Sequence, residues 1–316
     1  MDSRYVIISP VRNEAAYARR TLESVVRQTL PPTRWVIVDD GSSDGTQQIL
    51  QEYAARYDYI EIVNKPDRGE RSVGPGVIEA VRFGLARIHL EAFDYLCKLD
   101  LDLDLPSGYF AELVRRMEEN PRIGTCSGKA YFPAPDNASR DFNGPLISEG
   151  VSDEISVGAS KFYRVACFRQ IGGFIREVMW DGIDCHTARM RGWIARSWDD
   201  PDLRFVHLRP MGSSQHGILA GRIRHGSGQY FMGTNPVYML ASAVLRMARR
   251  PYVLGGAAMM WGYLKSAFNR QKRYENPEFR KHLSHYQWAC LFLGKKRATE
   301  RVEETYRAKW RPDGGE

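Results

Sequence analysis

The amino-acid sequence predicts an α/β fold with a doubly wound, mostly parallel sheet and a helical extension at the C-terminus. The first 130 residues alternate short β-branched runs with longer amphipathic runs, the pattern of β-α-β units. After residue 130 the alternation weakens, and apolar helical stretches follow from about residue 215. With 316 residues, 43% hydrophobic and 26% charged, the chain can fold as one large domain with an appendage.

The elements of the predicted sheet can be placed in chain order. Buried strands are predicted at residues 5–9, 35–38, 60–63 and 95–99. Amphipathic helices are predicted at residues 14–28, 46–57 and 75–89, with a further helix beginning at Pro106. Asp44 precedes the second of these helices and is expected to cap it.

Polar clusters follow three of the four strands, at residues 9–14, 39–44 and 100–104. Ligands of open parallel sheets bind at the carboxyl ends of the strands. We therefore expect the three clusters to meet at one edge of the sheet.

Charge is distributed unevenly along the chain. Residues 1–200 carry a net charge of −5, and residues 201–316 carry +12. The basic part is expected to be attracted to an anionic partner, such as a lipid headgroup surface or a phosphate-bearing acceptor. Nucleic acid is not expected, because the basic residues form no known nucleic-acid-binding module.

The cysteines and the N-terminus indicate a cytoplasmic protein. Five cysteines are far apart and form no Cys-x-x-Cys pair, so we expect reduced thiols in the core and neither a disulfide framework nor a zinc site. The N-terminus leads directly into a strand and does not resemble a signal peptide.

An acidic run, Asp100-Leu101-Asp102-Leu103-Asp104, ends the fourth predicted strand. In an extended chain alternate side chains share a face, so the three carboxylates are expected to point the same way. A divalent cation such as Mg²⁺ or Mn²⁺ would neutralise them and bridge phosphate oxygens. The alternative is that the aspartates are solvated or cap the next helix.

A second acidic pair, Asp39 and Asp40, stands before a Gly-Ser turn at the end of the second strand. A carboxylate there could accept hydrogen bonds from a nucleobase or from ribose hydroxyls. An ordinary turn is the alternative.

Together these motifs resemble the family 2 glycosyltransferases. The resemblance is carried by Val-Ile-Ile-Ser-Pro-Val-Arg-Asn-Glu at 6–14, Val-Asp-Asp-Gly-Ser-Ser-Asp-Gly-Thr at 38–46 and Lys-Leu-Asp-Leu-Asp-Leu-Asp-Leu-Pro at 98–106. It covers about residues 1–200. It implies the GT-A fold and an inverting, metal-dependent enzyme with a nucleotide-sugar donor, UDP being the favoured nucleotide.

The resemblance also assigns site residues. It implies a nucleotide-sugar site lined by Pro10, Arg12, Glu14, Asp39, Asp40 and Asp100. Asp100 and Asp102 would form the DxD motif, with Asp102 as the main metal ligand. Arg71, or Arg68, could meet the diphosphate, although a solvated charged loop is an equally good account.

A general base is implied by the Gly172-Gly173-Phe174 turn and the following Trp180-Asp181. The family has Glu-Asp at this position, so Trp180 replaces the usual Glu. Asp181 is expected to remove the acceptor proton. Asp184 and Glu177 are rivals, and a helix N-cap is the alternative for each.

A third metal ligand is implied by a histidine beyond the base. His207 has a suitable position, and His216 competes with it. A structural role is the alternative for either.

These features predict a GT-A catalytic domain over residues 1–214, with a nucleotide-sugar half at 1–130 and an acceptor half at 131–214. Residues 215–316 are expected to form a basic, helical region, whose apolar stretches at 237–245 and 251–264 are interrupted by arginines. Neither stretch reaches the ~20 residues needed to cross a bilayer. The region could lie on the inner face of a membrane and reach a lipid-linked acceptor, or pack on the catalytic domain or a second subunit in a homo-oligomer.

The predicted reaction is transfer of a sugar from a nucleotide diphosphate to a hydroxyl of a lipid-linked or polysaccharide intermediate. A sugar nucleotidyltransferase is one alternative, but such enzymes carry a Gly-rich loop after the first strand, and residues 9–14 contain no glycine. A non-catalytic module that binds a nucleotide sugar is the other.

Overall fold

The computed structural model describes residues 3–69, 72, 74–134, 144–209 and 217–312. These residues form eleven strands: β1 (Tyr5–Val11), β2 (Arg34–Asp39), β3 (Ile60–Asn64), β4 (Tyr95–Leu99), β5 (Leu103–Asp104), β6 (Ile123–Ser127), β7 (Lys129–Pro133), β8 (Leu146–Ser148), β9 (Ser160–Arg164), β10 (Ile194–Ser197) and β11 (Arg204–His207). They also form eleven α-helices: α1 (Ala15–Val26), α2 (Thr46–Ala54), α3 (Pro75–Leu85), α4 (Tyr109–Glu119), α5 (Val165–Gln170), α6 (Trp180–Met190), α7 (Gly217–Met232), α8 (Pro236–Met247), α9 (Leu254–Phe268), α10 (Pro277–Leu293) and α11 (Lys295–Thr305).

Seven strands form the central sheet, in the order β10-β6-β9-β4-β1-β2-β3. β1 pairs in parallel with β2 and β4, β2 with β3, and β6 with β10. β9 lies between β4 and β6 and is antiparallel to both. The predicted α/β class with a mostly parallel sheet is therefore confirmed.

Both faces of this sheet are buried, which explains why its strands are continuous apolar runs. In β1, Tyr5 and Ile7 pack into the core on one face, and Val6 and Ile8 pack into the core on the other. Helices α1 and α2 bury residues of the first core, and α3 buries residues of the second. This two-sided packing makes the sheet doubly wound.

The predicted elements of the first 110 residues are present, with shorter helices. The expectation that a helix begins at Pro106 was wrong, because the Pro106 carbonyl instead accepts a hydrogen bond from Tyr109 N at 3.1 Å in a turn, and α4 begins at Tyr109. Asp44 accepts hydrogen bonds from Thr46 N at 3.0 Å and from Ala15 N at 3.1 Å. It thus holds the start of α2, as predicted, and also the start of α1.

A second sheet of four strands has the order β5-β11-β7-β8. β11 pairs with β7 in parallel and with β5 in antiparallel register, so that His207 lies opposite Leu103. Since β5 is the last part of the acidic run, this sheet carries a distant part of the chain to the end of β4.

The C-terminal region packs through small residues. A Cβ atom on Gly226 of α7 would lie 1.8 Å from the Met259 carbonyl oxygen of α9, and one on Gly262 would lie 2.1 Å from the Ile223 carbonyl oxygen. The backbones of α7 and α9 are therefore in direct contact. Within the described part of the chain, every helix is too short or too polar to span a bilayer. All five cysteines are free thiols.

Candidate active site

A cleft of about 300 Å³ lies at the carboxyl edge of the central sheet. The register pairs Val11 with Asp39 and Ile8 with Lys98, so β1, β2 and β4 end side by side at this edge. Eight of the predicted site residues line the cleft: Pro10, Arg12, Glu14, Asp40, Asp100, Asp102, Asp181 and His207. Arg71 and His216 lie outside the described residues.

Asp40 forms one wall of the cleft and is held by two cations. Its carboxylate accepts from Lys65 Nζ at 3.0 Å and from Arg68 Nη2 at 2.7 Å. Arg12 donates to the Asp40 backbone carbonyl and to Asp67 Oδ1, the latter at 2.6 Å. The carboxylate is therefore fixed in position and close to the positive charge that a diphosphate requires.

Asp39 has a different role from its neighbour. Its Oδ1 accepts a hydrogen bond from Ser42 N at 2.9 Å, and its side chain is buried away from the cleft. The carboxylate closes the turn after β2. Of the two adjacent aspartates, only Asp40 faces the cleft.

The acidic run divides between two environments. Asp100 accepts from Lys98 Nζ at 2.6 Å, and Asp102 accepts from Arg209 Nε at 2.7 Å. Asp104 instead pairs with Arg20 at 2.7 Å, outside the cleft. The expectation that all three carboxylates share one face was wrong, because the chain bends at residues 101–102 before it enters β5.

His207 is brought to Asp102 by the small sheet. Leu208 N donates to the Asp102 carbonyl at 2.8 Å, and His207 Nε2 lies 3.7 Å from Asp102 Oδ1. Its Nδ1 lies 3.5 Å from Glu149 Oε1. Burial lowers the pKa of His207, but the carboxylates of Asp102 and Glu149 outweigh it and raise the pKa to about 9.

Arg209 is a cleft residue that sequence reasoning missed. Its guanidinium group donates to Glu14 and to Asp102, and it lies 5.3 Å from the centre of the Tyr17 ring. It therefore joins the ends of β1 and β4. Its one sequence signal is its place two residues beyond His207, but it follows the end of β11, so strand alternation does not predict where its side chain points.

The donor types in the cleft fit a hard divalent cation. Asp100 and Asp102 offer carboxylates, the ligands suited to Mn²⁺ or Mg²⁺, and His207 adds an imidazole beside Asp102. Among the described residues, no three His, Cys, Asp or Glu side chains are already arranged around one point as a metal site. Asp102 is instead paired with Arg209, so a cation bound to Asp102 would have to replace that pair.

Asp181 lies in the first turn of α6, opposite the end of β4. Its Oδ1 accepts from Gly182 N at 3.0 Å, and a Cβ atom on Gly158 would lie 2.9 Å from its Oδ2. The Gly158 carbonyl accepts at 2.9 Å from Lys98, which also binds Asp100. One glycine and one lysine therefore connect Asp181 with the acidic run.

Trp180, which stands where the sequence resemblance implies a glutamate, is a buried residue of the cleft wall. Its ring is buried, packs edge-on against Phe174 at 5.2 Å, and lies 5.6 Å from Lys98 Nζ and 5.4 Å from Lys161 Nζ. Met179, which precedes it, has φ of 71°, a left-handed conformation rare for a non-glycine residue. This turn sets the direction in which α6 presents Asp181 to the cleft.

The two alternative candidates for the general base, Asp184 and Glu177, do not line the cleft. Asp184 is buried outside the cleft, where it accepts from the Tyr163 hydroxyl at 2.5 Å and lies 3.8 Å from Lys161 Nζ. Burial raises the pKa of Asp184 to about 6. Glu177 lines a separate cavity beside α7.

Comparison with known proteins identifies the family. The family described as "Glycosyl transferase family 2" matches residues 6–142. The glycosyltransferase AglE of Haloferax volcanii is 39% identical over 241 residues, which are 71% of this chain and 72% of AglE. The chain belongs to glycosyltransferase family 2. The chondroitin synthase of Escherichia coli is 31% identical over 235 residues, 70% of this chain but only 29% of that protein.

Solved structures agree on the fold. The mannosyltransferase PcManGT from Pyrobaculum calidifontis, in complex with GDP-Man and Mn²⁺, superposes with a TM-score of 0.52 at 19% identity, covering 97% of this chain and 83% of that one. GalNAc-T7 with UDP, GalNAc and Mn²⁺ gives a TM-score of 0.54 at 14% identity, covering 92% of this chain and 58% of that one. This family 2 protein has the GT-A fold and is a glycosyltransferase; the nucleotidyltransferase and the non-catalytic module are set aside.

Proposed function

We propose that this family 2 glycosyltransferase moves a sugar from a nucleotide diphosphate, UDP being the first candidate, to a hydroxyl group of a glycan or lipid-linked acceptor, with inversion at the sugar carbon. The observation that carries the proposal is that Asp40, Asp100, Asp102 and Asp181, which come from three separate parts of the chain, line one cleft. Relatives named chondroitin synthase and poly-beta-1,6-N-acetyl-D-glucosamine synthase support a glycan acceptor.

The donor half of the cleft is assigned to β1, β2 and β4. In this proposal Pro10, Arg12 and Glu14 contact the nucleotide, and Asp40 accepts hydrogen bonds from the base. The ion pairs of Asp40 with Lys65 and Arg68 support that role, because they hold the carboxylate still before the donor arrives.

The diphosphate is assigned to the end of β4. Asp100, Asp102 and His207 would hold a divalent cation, Mn²⁺ or Mg²⁺, which would neutralise the leaving diphosphate. Lys98 and Arg209 already place two positive charges at the same carboxylates, and they would keep the cleft electrostatically favourable for a dianionic leaving group.

Asp181 is assigned the role of general base. As the acceptor oxygen attacks the sugar carbon from the face opposite the diphosphate, Asp181 would take the hydroxyl proton. Its position is supported by the short path through Gly158 and Lys98 to the acidic run, which puts base and leaving-group site within one cleft.

We further propose the division into a catalytic domain at 1–214, with donor and acceptor halves meeting near residue 130, and a helical region at 215–316. Helix α7 would complete the acceptor side, because Gly228 of α7 packs against Val178 and Met179, which line the cleft.

The test compares Asp181→Asn with Glu177→Gln over a panel of UDP-, GDP- and dTDP-sugars with Mn²⁺. Asp181→Asn should lower kcat by about 10²–10⁴-fold. Its thermal stabilisation by nucleotide with Mn²⁺ should match that of the wild type, because donor contacts are untouched. Glu177→Gln is the matched control, since Glu177 lies two residues from the cleft wall but outside the cleft, and it should retain transfer. Full turnover by Asp181→Asn would refute the assignment.

A further inference from the structure

The outer surface of the helical hairpin α8–α9 is apolar and faces solvent. We call this surface the hairpin face; its exposed apolar side chains are Val237, Leu240, Val244, Leu245, Tyr252, Val253, Leu254, Trp261, Leu264 and Phe268. α8 and α9 pack against each other, and the loop between them contributes Tyr252 and Val253. The surface is therefore continuous from one helix to the other.

Helix α9 is arranged with its large side chains outside. Leu254, Trp261, Leu264 and Phe268 recur at helical spacing on one stripe, and Trp261 and Phe268 are 57% and 80% exposed. Its buried face consists largely of small residues: Gly255, Gly256, Gly262 and Ser266, with Met259 and Tyr263.

The packing of α9 on α7 and α8 accounts for the small residues on its buried face. The exposed stripe of large apolar side chains makes no comparable contribution to folding. The glycines allow α9 to contact the backbones of α7 and α8, as shown by the 2.3 Å that would separate a Cβ on Gly256 from the Ala243 carbonyl oxygen. Contiguous exposed apolar surface of this kind marks a site of interaction with another surface.

The distribution of charged residues around the hairpin face indicates which kind of surface it would bind. From residue 203 to residue 274 the sequence contains no Asp or Glu. Arg249 and Arg250 flank the apolar face at the hairpin loop, Lys265 lies within α9, and Arg270 and Lys272 follow α9. An apolar stripe bounded by basic residues, on helices too short to cross a bilayer, is the pattern of a segment that lies on an anionic membrane.

A second copy of this chain fits the same face less well. A two-fold symmetric contact would place the patch on itself, so the arginines and lysines would meet arginines and lysines with no carboxylate from the same 72 residues to separate them. Phosphate groups of lipids supply the missing negative charge.

We propose that the hairpin face binds the surface of an anionic lipid bilayer, with the apolar side chains entering the headgroup boundary and the basic side chains contacting lipid phosphates. Helix α7 lies between α9 and the cleft wall, because it contacts Met259 on one side and Val178 and Met179 on the other. The membrane-bound enzyme would thus hold its acceptor side close to lipid. Membrane binding does not depend on the identity of the donor or acceptor.

The experiment is flotation of the full chain with vesicles of phosphatidylcholine alone and of phosphatidylcholine mixed with phosphatidylglycerol. The wild type should float with the phosphatidylglycerol vesicles at low salt and dissociate at ~0.5 M salt, where charges are screened within a few ångströms. Lys265→Gln combined with Lys272→Gln should lower the partition coefficient roughly 25-fold, about fivefold for each charge. Trp261→Ala combined with Phe268→Ala should lower it at least about tenfold.

A charge-matched control separates a local surface from net charge. Arg27→Gln combined with Arg56→Gln removes the same two charges from exposed positions at the ends of α1 and α2 and should leave the partition coefficient within about twofold of the wild type, because it spares the hairpin face. Thermal unfolding of every variant checks that it remains folded, since the substituted side chains are exposed.

Three results would overturn the proposal. The first is absence of flotation at low salt, and the second is equal binding to vesicles with and without phosphatidylglycerol. The third is an equal loss of binding in the Arg27/Arg56 control. A wild type that fails to float but forms a dimer abolished by Trp261→Ala with Phe268→Ala would assign the face to a second copy.

Discussion

Arg209 supplies positive charge to both Asp102 and Glu14, and His207 lies 3.7 Å from the other carboxylate oxygen of Asp102. The two carboxylate side chains are 6% and 5% exposed, and the guanidinium group that joins them is 19% exposed. Replacing Arg209 with Met removes the charge but keeps an unbranched side chain of similar length at this position. We expect this substitution to destabilise the metal-free enzyme and to strengthen its response to Mn²⁺.

The size of the first effect follows from burial. Breaking a buried ion pair costs ~3–5 kcal/mol, and the partial exposure of Arg209 favours the lower end, about 3 kcal/mol. An unfolding entropy of ~2.1 cal/mol/K per residue over 316 residues corresponds to about 0.7 kcal/mol per degree. Arg209→Met should therefore lower the Tm of the metal-free enzyme by roughly 4–5 °C.

The second effect has the opposite sign. In the wild type a cation must displace Arg209 from Asp102, whereas in Arg209→Met the carboxylate is available. A tenfold gain in Mn²⁺ affinity would add about 1.4 kcal/mol of stabilisation at saturating metal, or roughly 2 °C. Scanning calorimetry with and without Mn²⁺, without nucleotide, measures both effects.

Arg204→Met is the matched control, because Arg204 begins β11, the strand that precedes Arg209, and pairs with Asp199 at the surface, where both side chains are more than 40% exposed. Such exposed ion pairs contribute little to folding stability, so the Tm should change by less than ~1.5 °C. The increase in Tm on addition of Mn²⁺ should be unchanged. If Arg209→Met behaves like Arg204→Met in either measurement, Arg209 does not occupy the place of a cation at Asp102.

Three further substitutions test other parts of the structure. Asp40→Asn should raise the donor KM about tenfold with kcat retained, because it removes binding common to ground and transition states; steady-state kinetics with a fall in kcat alone would contradict this. Gly226→Val should lower the free energy of unfolding by ~3 kcal/mol in urea titrations, since its Cβ would lie 1.8 Å from the Met259 carbonyl oxygen; an unchanged midpoint would show that α7 and α9 separate freely. Burial raises the pKa of Asp184 to about 6, so the native state keeps this proton above the unfolded pKa of ~3.9, and stability should fall by about 2 kcal/mol as pH rises from 4 to 6. Asp184→Asn should flatten that slope, and an unaltered pH profile would mean that Asp184 is ionised throughout.

The sheet and its binding edge could be predicted because their determinants are local. β1, β2 and β4 are short apolar runs followed directly by polar residues, and parallel pairing forces their carboxyl ends together. The same logic predicts that Arg12, Asp40 and Asp100 share a cleft, and they do. It does not distinguish Asp39 from Asp40, because which of two adjacent side chains faces a ligand depends on the turn that follows.

The other wall of the cleft depends on contacts between distant residues. His207 and Arg209 reach Asp102 because β11 pairs with β5, about 100 residues earlier in the chain, and no periodicity in the sequence specifies this pairing. The bend that turns Asp104 toward Arg20 could not be predicted from the sequence either, because the alternation of Asp and Leu is typical of a straight strand. Sequence patterns therefore predicted which acidic residues line the site, but they did not predict which basic residues pair with them.

The hairpin α8–α9 shows a third limit, because its composition predicts helices but not their orientation. A helix with apolar residues all round is usually buried, and the usual expectation is that Trp, Leu and Phe face inward. In α9 the glycines face inward instead, because close backbone contact with α7 at Gly226 and Gly262 leaves no room for large side chains. The large apolar residues are on the outside as a consequence of that contact, so the exposed apolar stripe of the hairpin face is a property of the packing and cannot be read from composition alone.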